Sequence, residues 1–289
     1  MVVVSARRVR RFSRATKPFD VWRISRLVLI AWIACLVLQR FLSGVFPQHS
    51  PPFSPGERAL ILTAHPDDEV MFFAPTIMAM QAAGTTVFGL CLSTGNATGL
   101  GKHRALELAE SYDILGVPAM RIASLDDNSL QDGMEVQWNA SYISSLLERF
   151  IEQLDIDVIL TFDSEGVTRH ANHHACFEAV RLAAGNDKAR ASLGQTSPSH
   201  TLRILTLATV SPLWKFLGLP KALLDNVTLR AKHRYGLAQG SFHVLGAPSH
   251  YWTALQAMRK HQTQLVWFRY LYIIFSVYMR SNTLMQLTA

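Results

Sequence analysis

The sequence predicts an α/β fold: a Rossmann-like, mostly parallel sheet with helices on both faces. Short apolar runs rich in strand-forming residues alternate with longer stretches that repeat apolar side chains at helical spacing. The alternation begins after a proline-rich segment and continues to about residue 210. Such a rhythm is typical of consecutive βαβ units, whose helices cover both faces of a parallel sheet.

The predicted elements follow one another in order along the chain. Short apolar runs predict strands at residues 59–63, 86–92, 120–123, 157–162 and 203–210. Helical spacing of apolar side chains predicts helices at residues 70–83, 102–115, 138–154, 171–184 and 251–261. The polar segment between the last two helices, residues 186–199, predicts a surface loop.

The amino-terminal region, residues 1–46, is predicted to associate with a membrane. Residues 1–26 hold eight basic side chains and one acidic one, which accounts for the whole net charge of +7. The uncharged run at residues 27–38 spans about 18 Å as a helix, short of the ~30 Å hydrocarbon core. We therefore expect an uncleaved anchor or an interfacial helix. A buried amphipathic helix and a cleaved signal peptide are the alternatives.

Residues 47–58 contain four prolines and predict a stiff linker before the main domain at 59–289. Charge is unevenly spread over the remainder of the chain. Residues 27–180 carry 7 basic and 18 acidic side chains, whereas residues 181–289 carry 13 basic and 2 acidic ones. A uniformly basic nucleic-acid binder is therefore excluded. The basic part includes the aromatic segment 265–279, which predicts either a buried core helix or an interfacial segment.

A first group of ionisable side chains follows the predicted strand 59–63 directly, in residues 65–69 (HPDDE). In open parallel sheets, ligands bind beyond the carboxyl ends of the strands. His65 and Asp68 can offer one nitrogen and one oxygen to a metal ion. Asp67, between them, can take a proton from a water molecule held there. The alternative is that Asp67 or Asp68 only caps the following helix.

A second polar group follows the predicted strand 157–162, in residues 163–174. His170 and His173 lie three residues apart where a helix begins, so one can bind a metal while the other faces a substrate. Two histidines and one aspartate leave an open coordination position for water, which suits zinc-dependent hydrolysis. The three cysteines lie far apart and form no CxxC pattern, so no cysteine zinc site is indicated.

Residues 65–69 (HPDDE) and 170–173 (HANH) together resemble the LmbE-like, or PIG-L, zinc deacetylases, which remove acetyl groups from N-acetylglucosaminyl substrates. The resemblance extends through residues 92–97, 162–167 and 261–269, and so covers the chain from about residue 59 to residue 284. These motifs look like those of the eukaryotic branch, which acts on N-acetylglucosaminyl-phosphatidylinositol in the second step of GPI-anchor biosynthesis.

The resemblance implies a role for each residue of the two motifs. The zinc ligands would be His65, Asp68 and His173. Asp67 would be the general base, and His170 would polarise or protonate the tetrahedral intermediate.

The resemblance also implies that the loop 95–102 lines the sugar site, and by their chemistry its backbone amides and Lys102 could meet a phosphate. Asn96, Lys102 and Arg104 are therefore candidate substrate-binding residues. The alternative for the loop is a flexible connection, and Arg104 and Glu107 form either a surface pair or part of the pocket wall. Bacterial relatives often have aspartate where this chain has Asn172. A neutral amide would then replace any orienting charge on the neighbouring histidine.

The function implied is metal-dependent hydrolysis of the acetamide of N-acetylglucosaminyl-phosphatidylinositol. Deacetylation of a soluble N-acetylglucosaminyl compound and a catalytically silent membrane scaffold are the alternatives. The expected partners are the phosphatidylinositol glycolipid and the membrane, not nucleic acid. The resemblance implies catalysis on the cytosolic face of the endoplasmic reticulum. Basic residues before the run 27–38 would instead send the domain to the lumen if that run spanned, so we favour an interfacial helix.

Overall fold

The computed structural model describes residues 52–192 and 202–287, together with isolated positions between residues 26 and 41. The chain divides into two compact units, Met1–Ala34 and Cys35–Ala289. The predicted anchor lies mostly outside the described residues, and the predicted linker is described only from residue 52 onward. Both stay predictions. Within the part that is described, no helix has both the length and the apolar character needed to cross a membrane.

Seven strands of the described residues form one sheet. They are β1 Arg58–Thr63, β2 Thr86–Cys91, β3 Ile122–Ser124, β4 Val158–Phe162, β5 Arg203–Leu207, β6 Ser241–Leu245 and β7 Ser281–Gln286. Their spatial order is β3-β2-β1-β4-β5-β7-β6. The strands β1 to β5 pair in parallel, and β7 pairs antiparallel with both β5 and β6. The prediction of an α/β fold with a mostly parallel sheet is confirmed.

Helices connect the strands. They are α1 Ala74–Ala82, α2 Gly101–Ile114, α3 Ala140–Leu154, α4 Gly166–Arg169, α5 Ala171–Ser192, α6 Pro212–Lys215, α7 Gly218–Arg234, α8 Pro248–Met258 and α9 Trp267–Phe275. A π-helical turn, Glu69–Phe73, precedes α1, and all five of its residues are buried. This turn follows the first ionisable motif, and π-helical turns are frequent at functional sites.

The two central strands, β1 and β4, are the most deeply buried. All residues of β4 are buried, and so are all residues of β1 except Arg58. Strands covered on both faces form continuous apolar runs, which explains the segments ALILT and VILTF. The polar side chains that follow these strands are therefore held by rigid elements.

The strand order creates a topological switch point. The chain passes from β1 to β2 and β3 on one side, and then returns to place β4 and β5 on the other side of β1. Ligands bind in the crevice beyond the strand ends at such a point. The two ionisable motifs directly follow β1 and β4, so the fold brings them to this crevice.

The structure differs from the sequence predictions in three places. Residues 186–199 are not wholly a loop, because α5 continues to Ser192 through helix-forming lysine, alanine and arginine. The elements α7, β6 and β7 are not predicted, because apolar periodicity is weak there. Finally, α9 is not a buried core helix, since Tyr272 and Ile273 alone among its residues are buried. The interfacial alternative for that segment stays a prediction.

Candidate functional site

The loop after β1 has a strained backbone that presents its two aspartates in different directions. Asp67 has φ 112°, a conformation that costs a non-glycine residue about 1–3 kcal/mol. The Oδ2 atom of Asp68 accepts hydrogen bonds from the backbone N–H groups of Ala64 (3.1 Å) and His65 (2.9 Å). Asp68 makes no side-chain cap to the following helix. The helix-cap interpretation is therefore wrong for Asp68, and its carboxylate is fixed at the strand end.

The loop after β4 orients His173. Gly166 has φ +63°, and a Cβ atom there would lie 2.9 Å from the Cβ atom of His173. The close approach lets the Nδ1 atom of His173 donate to the carbonyl of Gly166 at 2.9 Å. The ring of Phe162 stacks on the His173 ring, with centroids 4.0 Å apart. These contacts aim the Nε2 atom of His173 at the loop after β1.

The structure brings the three predicted metal ligands together. The Nε2 atom of His173 lies 3.3 Å from Oδ1 of Asp68, and Nδ1 of His65 lies 3.7 Å from Oδ2 of Asp68. All three residues are buried, and their candidate ligand atoms lie within 4.8 Å of one another. Burial alone would raise the pKa of Asp68, but His173 and His65 outweigh it and hold the pKa below its usual range.

The hydrogen-bond partners show that this group suits a cation. Nε2 of His65 faces two acceptors, Oδ1 of Asn172 at 3.0 Å and Oδ1 of Asp132 at 3.2 Å, so Nε2 carries the proton. Nδ1 then turns a lone pair toward Asp68. Likewise, Nε2 of His173 is buried and has no hydrogen-bond partner in the described part of the chain. Converging lone pairs repel unless a cation lies between them, and two nitrogens and one oxygen suit zinc.

Asp132 was missed at the sequence level. It accepts from His65 and lies 3.4 Å from the Nη1 atom of Arg104, and the hydrogen bond from His65 lowers its pKa. Asn172 donates from Nδ2 to the carbonyl of Val136 (2.8 Å), which turns its oxygen toward His65. The carboxylate that orients this histidine therefore comes from residue 132, in an irregular segment whose sequence carries no motif.

Asp67 is buried next to Asp68 of the candidate ligand group and contacts a residue far away in sequence. Nη2 of Arg269, on α9, donates to Oδ2 of Asp67 at 2.8 Å. Burial raises the pKa of Asp67 above its usual value, and the guanidinium opposes that rise. A carboxylate with an elevated pKa is a better proton acceptor near neutral pH. The sequence analysis assigns no role to Arg269, which lies within the aromatic segment 265–279.

A second buried carboxylate holds the strained loop in place. Glu69 accepts from the backbone N–H of Asp67 (3.1 Å), from Oγ of Ser111 (2.6 Å) and from Nε2 of His261 (2.6 Å). Burial lowers the pKa of His261, but Glu69 outweighs this effect and raises the pKa overall. The buried ion pair thus connects the segment after α8 to the backbone of the candidate base.

His170 lies at the edge of the group, half-buried, with its ring centroid 4.7 Å from that of His65. Its Nδ1 atom accepts from the backbone N–H of Asn172 at 3.2 Å. Burial and the neighbouring histidines lower the pKa of His170 to about 4. At neutral pH the ring is therefore uncharged and carries its proton on Nε2. By contrast, His174 is exposed and bonds to the carbonyl of Ser164.

The candidate substrate-binding residues occupy different environments. Asn96 is exposed and its side chain accepts from the N–H of Gly101 at 2.9 Å, while Lys102 is exposed on the first turn of α2. Arg104 is buried and donates to the carbonyls of Gly95 (2.7 Å) and Pro66 (2.8 Å). The alternative of a surface pair with Glu107 is wrong, and the predicted substrate contacts stay predictions.

Comparisons with known proteins identify the family of the chain. Residues 60–184 match the family model described as PIG-L, GlcNAc-PI de-N-acetylase. The chain is 36% identical over 232 residues to N-acetylglucosaminyl-phosphatidylinositol de-N-acetylase of Bos taurus, covering 79% of this chain and 83% of that protein. It is 31% identical over 254 residues to the protein of that name from Saccharomyces cerevisiae, covering 81% and 83%.

Solved structures show the same fold at low identity. N,N'-diacetylchitobiose deacetylase from Pyrococcus horikoshii aligns with a TM-score of 0.56 and 16% identity, covering 94% of each chain. The zinc-inhibited form of teicoplanin deacetylase aligns with a TM-score of 0.52 and 12% identity, covering 79% of this chain and 97% of that one. On the identity and coverage of its curated relatives, the chain belongs to the PIG-L family of de-N-acetylases.

Proposed function

We propose that this chain hydrolyses the acetamide of N-acetylglucosaminyl-phosphatidylinositol, giving glucosaminyl-phosphatidylinositol and acetate, the second step of GPI-anchor biosynthesis. One observation carries the chemistry: three buried ligand atoms of His65, Asp68 and His173 converge beside the buried carboxylate of Asp67. The names of the curated relatives supply the substrate class. The residues that hold the metal and the identity of the metal as zinc are parts of the proposal.

His65, Asp68 and His173 would hold a zinc ion. When bound, zinc supplies a Lewis acid that polarises the acetamide carbonyl and lowers the pKa of a water molecule. Asp67 accepts the proton of the attacking water, for which its elevated pKa suits it. Arg269 fixes the direction of that carboxylate through its bond to Oδ2. Asp132 and Asn172 keep the His65 ring in the tautomer that a metal needs.

His170 is proposed to stabilise the developing charge. Because its Nδ1 atom accepts from the Asn172 backbone, a neutral ring presents Nε2–H as a hydrogen-bond donor to the oxyanion. The carbon–nitrogen bond then breaks. Asp67, which holds the proton taken from water, returns it to the departing amine, so that protons balance. His170 thus polarises the intermediate, the first of the two roles expected from the resemblance.

We further propose that the protein works at the cytosolic face of the endoplasmic reticulum membrane. Three acceptor sequences for N-glycosylation test this location. Asn96 and Asn139 are exposed, whereas Asn226 is buried, so the first two are the informative sites. A cytosolic domain carries no glycan, and endoglycosidase leaves its gel mobility unchanged. A mobility shift that disappears in the variant with both Asn96→Gln and Asn139→Gln would contradict this location.

Acetate release tests the proposed reaction. The purified full chain is incubated with N-acetylglucosaminyl-phosphatidylinositol in mixed micelles, with free N-acetylglucosamine as the soluble comparison. We expect acetate from the glycolipid, loss of the activity after chelation, and recovery when zinc is added back. No acetate from metal-loaded protein, or an unchanged rate after complete metal removal, contradicts the proposal. Faster turnover of the soluble sugar would contradict the choice of substrate.

A further inference from the structure

Beside the site lies an exposed apolar surface, which we call the apolar shelf. It consists of the exposed side chains of residues 213–217, at α6, and of residues 267–275, which form α9. Ten large apolar or aromatic side chains in these two segments are between 43% and 77% exposed. Single exposed hydrophobic residues are ordinary, but a contiguous patch of this kind marks an interaction surface.

The two segments of the shelf adjoin each other. The ring of Phe216 contacts that of Tyr272 edge-on, with centroids 6.4 Å apart. At Gly218, where φ is +52°, an added Cβ atom would meet the carbonyl oxygen of Phe275 at 3.0 Å. The chain after α6 therefore lies directly against the carboxyl end of α9. The exposed side chains on both segments form one continuous surface.

The shelf borders the candidate active site on two sides. On one side, Arg269 extends from α9 to the carboxylate of Asp67. On the other, a cavity of about 360 Å³ separates α6 from the loop after β4. Thr168 lines this cavity and its Oγ1 atom lies 3.3 Å from Nδ1 of His173. A surface bound to the shelf would therefore lie next to the mouth of the site.

The electrostatics favour an anionic partner. Residues 202–287, which contain the shelf, include ten lysine and arginine side chains and one carboxylate, Asp225. The cavity is lined by Arg169 and Lys215, together with Glu165. Among the described residues, neither Arg169 nor Lys215 takes part in an ion pair. The shelf thus combines exposed tryptophan and tyrosine rings with unneutralised positive charge, the composition of surfaces that bind the bilayer interface.

We propose that the apolar shelf docks on an anionic lipid bilayer, with the phosphate of a phospholipid headgroup received between Arg169 and Lys215. The inference rests on the proposed function and deepens it, because an enzyme docked in this way takes its glycolipid from the plane of the membrane. The shelf side chains enter the interfacial layer, and the mouth of the metal site faces the headgroups.

A local fluorescent probe tests the docking in the full chain. Trp267→Cys, in a Cys35→Ser background, is labelled with an environment-sensitive thiol dye. Met120→Cys is the matched control, because Met120 is 90% exposed and precedes β3, at the opposite edge of the sheet from β6. With vesicles of phosphatidylcholine and phosphatidylinositol, we expect a blue shift and quenching by nitroxide lipids at position 267 and neither at 120. Vesicle-bound protein whose dye at 267 is unchanged overturns the proposal.

A charge variant tests the headgroup contact. Lys215→Gln removes one cavity charge, and Lys260→Gln removes a lysine that is already paired with Glu110. A lysine near an anionic membrane surface contributes about fivefold in affinity. Lys215→Gln should therefore raise about fivefold the phosphatidylinositol-vesicle concentration that gives half the dye shift, and Lys260→Gln should not. An equal loss on pure phosphatidylcholine vesicles, or no loss on anionic ones, contradicts the phosphate contact.

Other occupants of the shelf give different results. If residues 27–46 of the same chain cover it, the dye at 267 is already blue-shifted without lipid and at every protein concentration. If a second copy covers it, the shift without lipid disappears on dilution. Either result overturns bilayer docking. None of these measurements uses deacetylation, so a failure of docking and a failure of the proposed reaction remain distinguishable.

Discussion

Two regions of the described chain differ in net charge and in the kind of side chain that each buries or exposes. Residues 52–184 carry 7 basic and 18 acidic side chains and bury several ionisable groups at the strand ends. Residues 202–287 carry ten basic and one acidic side chain and expose large aromatic groups. Burial of polar atoms and exposure of apolar surface to water both cost free energy. We propose a function for each: the first region would hold the reacting groups, and the second would offer a docking surface and support the first.

Backbone strain follows the same division. The non-glycine residues with positive φ in the described structure are Asp67, Asp155, Val167 and Arg169, all in the first region. Asp67, Val167 and Arg169 belong to the two loops that carry the candidate ligands and base. A strained backbone of this kind persists only where surrounding contacts hold it in place. Here part of that support comes from the second region, because His261 donates a hydrogen bond to Glu69 and Arg269 donates one to Asp67.

Removal of a metal ligand from the first region should have the largest effect. His173→Ala deletes one of the three proposed ligands, so we expect bound metal and acetate release to fall to background. His174→Ala is the matched control, because His174 is adjacent but exposed and turned toward Ser164. Metal analysis and an acetate assay on the same preparations check both. Full metal occupancy in His173→Ala would show that the ligand set is wrong.

Removal of the proposed base should lower turnover and leave metal binding unchanged. Asp67→Asn keeps the size of the side chain but cannot accept a proton, and general-base catalysis is typically worth 10²–10⁴-fold. We expect a loss of turnover in that range with metal content retained. Acetate release and metal content are measured together. Wild-type turnover in this variant would exclude Asp67 as the base.

Removal of the carboxylate behind His65 should have a smaller effect. Asp132→Asn weakens the hydrogen bond that orients the His65 ring. Loss of a side chain that hydrogen-bonds to a metal ligand typically costs 10–100-fold in metal affinity. Asp127→Asn is the control, since Asp127 is partly exposed and accepts a hydrogen bond from Tyr142 instead. A competition titration with a zinc chelator measures both variants. Equal affinities for the two would mean that Asp132 has no part in metal binding.

The contribution of the second region to catalysis should be smaller still. Arg269→Gln removes a charged hydrogen bond to Asp67, and loss of about 1.4 kcal/mol corresponds to roughly a tenfold drop in turnover. Metal content should not change. Arg259→Gln is the control, because Arg259 is exposed and lies over the ring of Trp252. If Arg269→Gln lost its metal, the division of roles between the two regions would be wrong.

Sequence patterns locate the first region well and the second poorly. The strands β1 and β4 are buried, apart from Arg58, and are followed by dense ionisable motifs. Local patterns therefore indicated both motifs, and the family resemblance proposed His65, Asp68 and His173 within them. Asp132 and Arg269 reach the site through tertiary contacts from segments without a motif, so spacing alone could not assign them. The antiparallel pair β6 and β7 was missed because its residues mix polar and apolar side chains without a clear period.

The central claim is that His65, Asp68 and His173 bind one metal ion at the switch point of the sheet. X-ray absorption spectroscopy of the zinc-loaded full chain tests it most directly. We expect two imidazole nitrogens and carboxylate oxygen at about 2.0–2.2 Å in the unmutated chain, and no bound zinc in His173→Ala. A sulfur atom at about 2.3 Å, or a His173→Ala variant that still binds zinc through two imidazoles, would contradict the account.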